Sequence, residues 1–152
     1  MKRASASVAV DKPILEVFRY LAEGRNNPTW RVDVTLAARI RGSATDLGAG
    51  TVYLQKVVDR SGRSVEESYE IITYQPPHLL EMMYTRGSTQ AIGRYSLAAI
   101  NTVTTHVEFT LQRVSPEFRA SRRRDYRSQL QDRVDSIHQL PAAMRDEGAV
   151  PL

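Results

Sequence analysis

His106 and Glu108 stand two apart, a spacing at which one strand face presents both as an acid–base pair or as half of a metal site. The same alternation sets them opposite Val107 and Phe109, on the side expected to meet water. His78 follows a Pro-Pro turn and His138 falls in a helical stretch, so no spacing joins the three histidines and no metal is expected. The chain has no cysteine, which removes thiolate catalysis, disulfides and cysteine metal ligands together. No G-x-S-x-G, P-loop or dinucleotide fingerprint occurs, and no cofactor is expected. Gln55 and Glu67 are the more promising polar residues. Alternation puts them on the faces of Tyr53 and Tyr69, where a polar group needs a partner or a ligand. Arg94 points away from the face that carries Tyr95.

The elements that position these residues follow from periodicity. Residues 3–10 read as a first strand, with Val8 and Val10 on one face. Asp11 is expected to cap a helix whose first turn holds Pro13. Ile14, Val17, Phe18 and Leu21 recur at helical spacing, and Gly24 is expected to end the helix. Residues 25–30 are expected to form a second short helical turn or a loop. Val32, Val34 and Leu36 then alternate with Arg31, Asp33 and Thr35, which predicts a strand with the latter three on its wet face. Residues 32–40 form an edge strand in this reading, able to pair but resisted by Arg39 and Arg41.

Strands are predicted over 51–58, 64–74, 79–85, 91–99 and 102–113, joined by loops at 60–63, 75–77, 86–88 and 100–101. In the last strand Val103, Thr105, Val107, Phe109 and Leu111 share a face. Asn101 can take a positive φ, so a turn at Ile100-Asn101 is expected to survive. Ser115 and Pro116 start a long helix with an apolar stripe at Phe118, Tyr126, Leu130, Val134, Ile137 and Leu140. Pro141 is expected to end or kink it.

At 152 residues, 41% hydrophobic and 25% charged, the composition is that of an ordinary globular protein. One domain over residues 1–145 is expected, with a frayed tail over 146–152. No run of about 18 apolar residues exists, so no stable membrane insertion is expected. Without a signal-like apolar core near the N-terminus, a cytoplasmic location follows by default. The net charge is +4 and the pI near 9.6. Part of the excess lies in Arg119, Arg122, Arg123, Arg124 and Arg127. Asp125, Asp132 and Asp135 follow or interleave, and no aromatic platform accompanies the arginines, so a solvated helix face is expected and nucleic acid is not.

Several segments also carry a resemblance. Val10-Asp11-Lys12-Pro13-Ile14-Leu15-Glu16-Val17-Phe18-Arg19-Tyr20-Leu21 resembles an "I-x-A-P-x-E-x-V-F-x-x-L" opening, and Asn26-Asn27-Pro28-Thr29-Trp30 the "N-x-P-x-W" that follows it. Gly48-Ala49-Gly50-Thr51 is similar to the glycine turn before the third strand. Tyr69 to Leu80 is similar to the "V-x-E-Y-x-P-P-x-x-L" hairpin, with Thr73 where glutamate usually stands. The Gly-Gly-Thr of the last hairpin is Ile100-Asn101-Thr102 here. These motifs belong to the START-like, SRPBCC (helix-grip) superfamily, and the polyketide cyclase/dehydrase and lipid-transport group looks nearest.

The resemblance implies an α+β helix-grip (START/Bet v 1-like) fold. A curved antiparallel β-sheet of about seven strands wraps a long C-terminal helix, with two short helices after strand 1. It also implies a cavity between sheet and helix. The residues expected to line it are Trp30, Tyr53, Gln55, Glu67, Tyr69, Met82, Tyr84, Tyr95, Leu97, Phe109, Leu130 and Val134. Each tyrosine offers an apolar ring and a hydroxyl that can orient a ligand, although the same rings also serve as core filler. The function implied is binding of a small hydrophobic or aromatic molecule, lipid- or polyketide-like. An aromatase/cyclase acting by aldol condensation and dehydration is the alternative, and a protein-interaction module using the arginine-rich helix start is a third. Monomer and homodimer are both compatible with the sequence.

Overall fold

A computed structural model describes residues 3–59, 61–114 and 130–149, with side chains as far as 145. The predicted start of the long helix at Ser115 and Pro116, with Phe118, Tyr126 and the cluster Arg119–Arg127, lies outside the described residues. Seven strands form one antiparallel sheet in the order β1-β7-β6-β5-β4-β3-β2. They are β1 (Arg3–Val10), β2 (Val34–Arg41), β3 (Val52–Val58), β4 (Ser64–Gln75), β5 (Leu79–Arg86), β6 (Thr89–Asn101) and β7 (Thr104–Arg113). Helix α1 (Ile14–Ala22), a 3-10 turn (Gly24–Asn26) and α2 (Asn27–Trp30) follow β1. The C-terminal helical segment comprises α3, described over 130–135, a 3-10 segment at Ser136–Gln139, and α4 (Leu140–Ala149). The backbone of 146–149 thus belongs to α4. No helix among the described residues is long and apolar enough to cross a membrane.

One buried cluster joins the two layers. Phe18 and Leu21 of α1 and Leu130, Val134, Ile137 and Leu140 of the C-terminal segment meet Tyr53, Tyr69, Tyr84, Tyr95 and Phe109 from the sheet. Strand pairing aligns the tyrosines. Tyr53 opposes Tyr69, Tyr69 opposes Tyr84, and Tyr95 opposes Phe109, so period-2 alternation sends all five rings to one face. Glycine makes room for them. A Cβ on Gly93 would lie 2.6 Å from the Tyr84 ring.

Several local details are settled differently from the periodic pattern. Asp11 does not cap α1. Pro13 occupies that position without a side-chain bond, and the Asp11 carboxylate accepts from the Thr104 hydroxyl at 3.4 Å. α1 ends at Ala22, and Gly24 instead opens the 3-10 turn. Asn101 does not take a positive φ. Its side-chain oxygen accepts from the Val103 N–H at 2.9 Å, an Asx turn that holds the hairpin while Val103 stays 60% exposed. Pro141 sits in the first turn of α4, directly after a 3-10 segment that interrupts the α-helical run. Having no N–H for the Ile137 carbonyl, it leaves that oxygen to the Leu140 N–H, which closes the 3-10 segment.

The largest correction concerns residues 31–36. Arg31 is 1% exposed and Val32 is 74% exposed, the reverse of the predicted faces. Arg31 caps the C-terminus of α2, and the Val34 N–H reaches back to its carbonyl at 3.2 Å, so the pleat begins only at Val34. A register shift between Val34 and Leu36 then turns Leu36 outward. β2 is a sheet edge, as predicted, with a second shift between Arg39 and Arg41 and with Arg39 engaged by Glu23.

Candidate functional site

The concave face carries an aromatic wall in two parts. Tyr53 and Tyr69 stack with ring centroids 5.2 Å apart, and Tyr69 meets Tyr84 at 4.9 Å. Trp30 makes edge contacts with Tyr95 at 6.1 Å and Phe109 at 6.0 Å, and those two rings meet at 4.6 Å. Burial raises the hydroxyl pKa values of Tyr69, Tyr84 and Tyr95, with neighbouring tyrosines adding to the effect at Tyr69 and Tyr95. All three are therefore neutral hydroxyls at physiological pH. The Trp30 indole N–H is buried and has no hydrogen-bond partner among the described residues, and the Ser136 hydroxyl shares that condition. Such groups ordinarily find an acceptor in a folded interior.

Beside the wall runs a buried polar chain. Asn27 donates to the Tyr69 hydroxyl at 3.0 Å and to Gln55 at 3.3 Å, and Gln55 donates to Glu67 at 2.8 Å. Arg133 grips Glu67 with two N–H groups, at 2.6 and 2.9 Å, and reaches Asp33 with its Nε at 2.9 Å. Arg31 donates twice to Asp33, at 3.1 and 3.3 Å, and Arg86 adds a contact to Glu67 at 3.3 Å. The guanidinium of Arg31, with 0% of its side chain exposed, lies within 6 Å of the Trp30, Tyr84 and Phe109 ring centroids.

Burial by itself would raise both carboxyl pKa values. Arg31 and Arg133 outweigh it at Asp33, which falls to about 2. At Glu67 the charge and hydrogen bonds of Arg133, then Arg86 and Arg31, likewise leave the pKa lowered. A folded pKa below the unfolded value contributes stability that is complete above about pH 4 and lost as pH falls through 2. Asp33 alone is expected to contribute about 2 kcal/mol in this way. Urea titrations at pH 7 and pH 2.5 should show the loss, and Asp33→Asn should reduce it. An equal acid loss in that variant would refute the assignment to Asp33.

Every residue expected to line the cavity is buried: Trp30, Tyr53, Gln55, Glu67, Tyr69, Met82, Tyr84, Tyr95, Leu97, Phe109, Leu130 and Val134. The structure brings Gln55 and Glu67 into direct contact and groups the rings. His106 is exposed, Glu108 accepts from Ser5, and His78 bonds the Leu97 carbonyl, so neither His106 nor His78 reaches the wall. Arg94 turns outward to Glu81. Among the described residues no three His, Asp or Glu side chains converge as metal ligands. Periodicity did not point to Asn27, Arg31, Asp33, Arg86 or Arg133. One signal was present: Arg133 fills the three-residue step from Leu130 on the stripe Leu130–Val134–Ile137. No comparable signal marked Arg31.

A cleft of about 120 Å³ opens where this network meets the surface, with Asp33, Arg86 and Arg133 among its lining residues.

No protein-family model matches the chain, and no curated protein matches it in sequence. Solved structures do match in shape. The aromatase/cyclase ZhuI from Streptomyces sp. R1128 aligns with a TM-score of 0.71 at 14% identity, over 97% of this chain and 93% of its own. A START superfamily protein from Mycobacterium smegmatis aligns with a TM-score of 0.66 at 12% identity, over 97% of this chain and 99% of its own. The di-domain aromatase/cyclase BexL of the BE-7585A biosynthetic pathway gives a TM-score of 0.68 at 14% identity. There 92% of this chain covers 46% of the other, so this chain spans about half the length of BexL. A curved seven-stranded antiparallel sheet, short helices after its first strand and a C-terminal helical segment packed on its concave face are common ground with these structures, and the chain has the START-like, helix-grip fold.

Proposed function

We propose that this chain binds a small hydrophobic or aromatic molecule, lipid- or polyketide-like, between the concave face of the sheet and the C-terminal helix. The observation that carries this reading is the aromatic wall together with the buried N–H of Trp30, which packs on Tyr95 and Phe109 and has no hydrogen-bond partner among the described residues. A buried donor among rings suits an acceptor atom on an otherwise apolar guest. The likeness to ZhuI and BexL, both described as aromatase/cyclases, supports a guest of that chemical kind.

A cyclase reading draws support from the donors near Arg31 and Tyr84, which suit a developing oxyanion. Proton abstraction also needs a base poised near neutral pH. The ionisable groups here are shifted away from it. Asp33 and Glu67 are held low by arginines, and the tyrosines are held high by burial. That pattern favours binding without turnover. The interaction-module reading rests on Arg119–Arg127, outside the described residues.

Trp30 is the only tryptophan and is 2% exposed, so its emission reports directly on the wall. Titration with dodecanol and with methyl 2-naphthoate is expected to shift or quench that emission and to raise the melting temperature. Native mass spectrometry of gently purified protein is expected to show a co-purifying small molecule. A bare protein with unchanged emission and melting across both probes would overturn the reading.

A further inference from the structure

The sheet ends in two edge strands, β1 and β2. β1 exposes Arg3, Ser5, Ser7 and Ala9, and the Ser5 carbonyl accepts from the Gln131 side chain of the C-terminal segment. A charge, small side chains and a covering helix are the usual ways to blunt an edge. β2 does the opposite. Of the nine large hydrophobic side chains exposed among the described residues, four lie along or beside this edge: Val32, Leu36, Ile40 and Val58, at 74, 57, 59 and 36% exposure. Val58 joins them because its N–H bonds the Asp33 carbonyl at 2.8 Å. Apolar side chains gathered in one place, and not scattered singly, mark a surface that meets a partner.

The spacing of the stripe identifies that partner. Val32 and Ile40 stand four residues on either side of Leu36. A two-fold axis at Leu36 therefore sets an antiparallel copy with Leu36 against itself and Val32 against its partner's Ile40. A stripe that matches its own reversal is what a contact between identical surfaces requires. The two register shifts of β2 interrupt a continuous ladder, so side chains carry more of this contact than main-chain bonds do.

Charge fits the same arrangement. Arg39, expected to resist pairing, is engaged by Glu23 of its own chain. Arg41 is exposed at the end of β2, and the axis carries the two Arg41 side chains to opposite ends of the contact, each beyond its partner's Val32. The cleft of about 120 Å³ opens at that end. Its lining sets three acids, Asp33, Asp59 and Asp132, against two bases, Arg86 and Arg133, with Val32, Val57 and Val58 as an apolar side. Asp59 also meets Arg63 at 3.4 Å, but that arginine is 77% exposed and the pair is solvated. A guanidinium on an apolar stem suits such a margin.

We infer that the β2 edge is a docking surface for a second copy of this chain, paired antiparallel across Leu36, with Arg41 of each copy at the acidic margin of the other's cleft. The dimer does not depend on the guest, and its failure would leave the binding reading as it stands.

The chain has no cysteine, so a single one placed on the axis reports its own pairing. Leu36→Cys is expected to give a disulfide-linked dimer under mild oxidation, because facing residues of an antiparallel pair lie about 4.5–5.5 Å apart between Cα atoms, within disulfide reach. Ile100→Cys, on the β6–β7 hairpin and also 57% exposed before substitution, is the control and should cross-link far more slowly. Sedimentation equilibrium of the unaltered protein should give twice 17.1 kDa. Leu36→Asp sets two carboxylates face to face and should raise the dissociation constant of the dimer at least about tenfold. Arg41→Glu should also weaken it, more at low salt than at high. Leu36 and Arg41 are exposed, which favours folding of every variant, and circular dichroism checks it. A mass of 17.1 kDa at all concentrations up to about 1 mM would overturn the interface. So would dissociation unchanged by Leu36→Asp, or cross-linking of Ile100→Cys as fast as that of Leu36→Cys.

Discussion

Replacing Arg133 by leucine is expected to destabilise the fold by about 3–5 kcal/mol, the loss typical of breaking a buried ion pair from one side. Arg133 is the hub of the network. It supplies two contacts to Glu67, the shorter of them the shortest that carboxylate makes, and a further one to Asp33. Without it, Glu67, 3% exposed, keeps among the described residues Gln55 and the longer contact to Arg86. Asp33 keeps Arg31. At roughly 2–4 °C per kcal/mol for a chain of this size, the melting temperature should fall by about 10 °C. Arg133→Lys retains the charge but not the fork, and should lose less. The double variant Glu67→Leu, Arg133→Leu should recover most of the stability, because it removes the stranded carboxylate with its partner. Denaturant titrations of the three proteins check this. A loss below about 1 kcal/mol in Arg133→Leu, the range of solvated pairs, would show that the network contributes as a surface salt bridge does.

Gly24→Ala is expected to be nearly as damaging, about 3 kcal/mol, at the upper end of the overpacking range. The added Cβ would lie 2.1 Å from the Tyr69 hydroxyl oxygen and 2.8 Å from two atoms of the Tyr53 ring. Neither ring can yield easily. Tyr53 is 0% exposed and Tyr69 is 5% exposed, and the two stack on one another. The 3-10 turn must move instead, which pulls Asn27 away from Tyr69. Tyr69→Phe removes the nearer clashing atom, so the two substitutions together should be less damaging than their sum. A double-mutant cycle reads that coupling directly. An additive result would place the damage in the turn backbone and not in the ring contact.

The wall and the network differ in how far they are legible in the sequence. Tyr53, Tyr69, Tyr84, Tyr95 and Phe109 lie on strands whose alternation is regular, so residue parity alone assigns them a shared face. Gln55 and Glu67 follow from the same parity. Arg31 and Asp33 defeat it, because they stand between the end of α2 and the start of β2, where no period holds. Leu36 is carried outward by a register shift, which adds a residue and reverses every face beyond it.

Local order along the chain therefore determined the fold: strand and helix periods, the proline and glycine punctuation, and the sequence of elements that builds a sheet around a helix. It also determined which rings are buried. Only the tertiary structure decided what meets the polar groups among them. Arg133 and Glu67 are 66 residues apart, and Arg133 and Asp33 are 100 apart. A buried charge is tolerable only when its counter-charge arrives from elsewhere in the fold, and no local pattern encodes that distant partner.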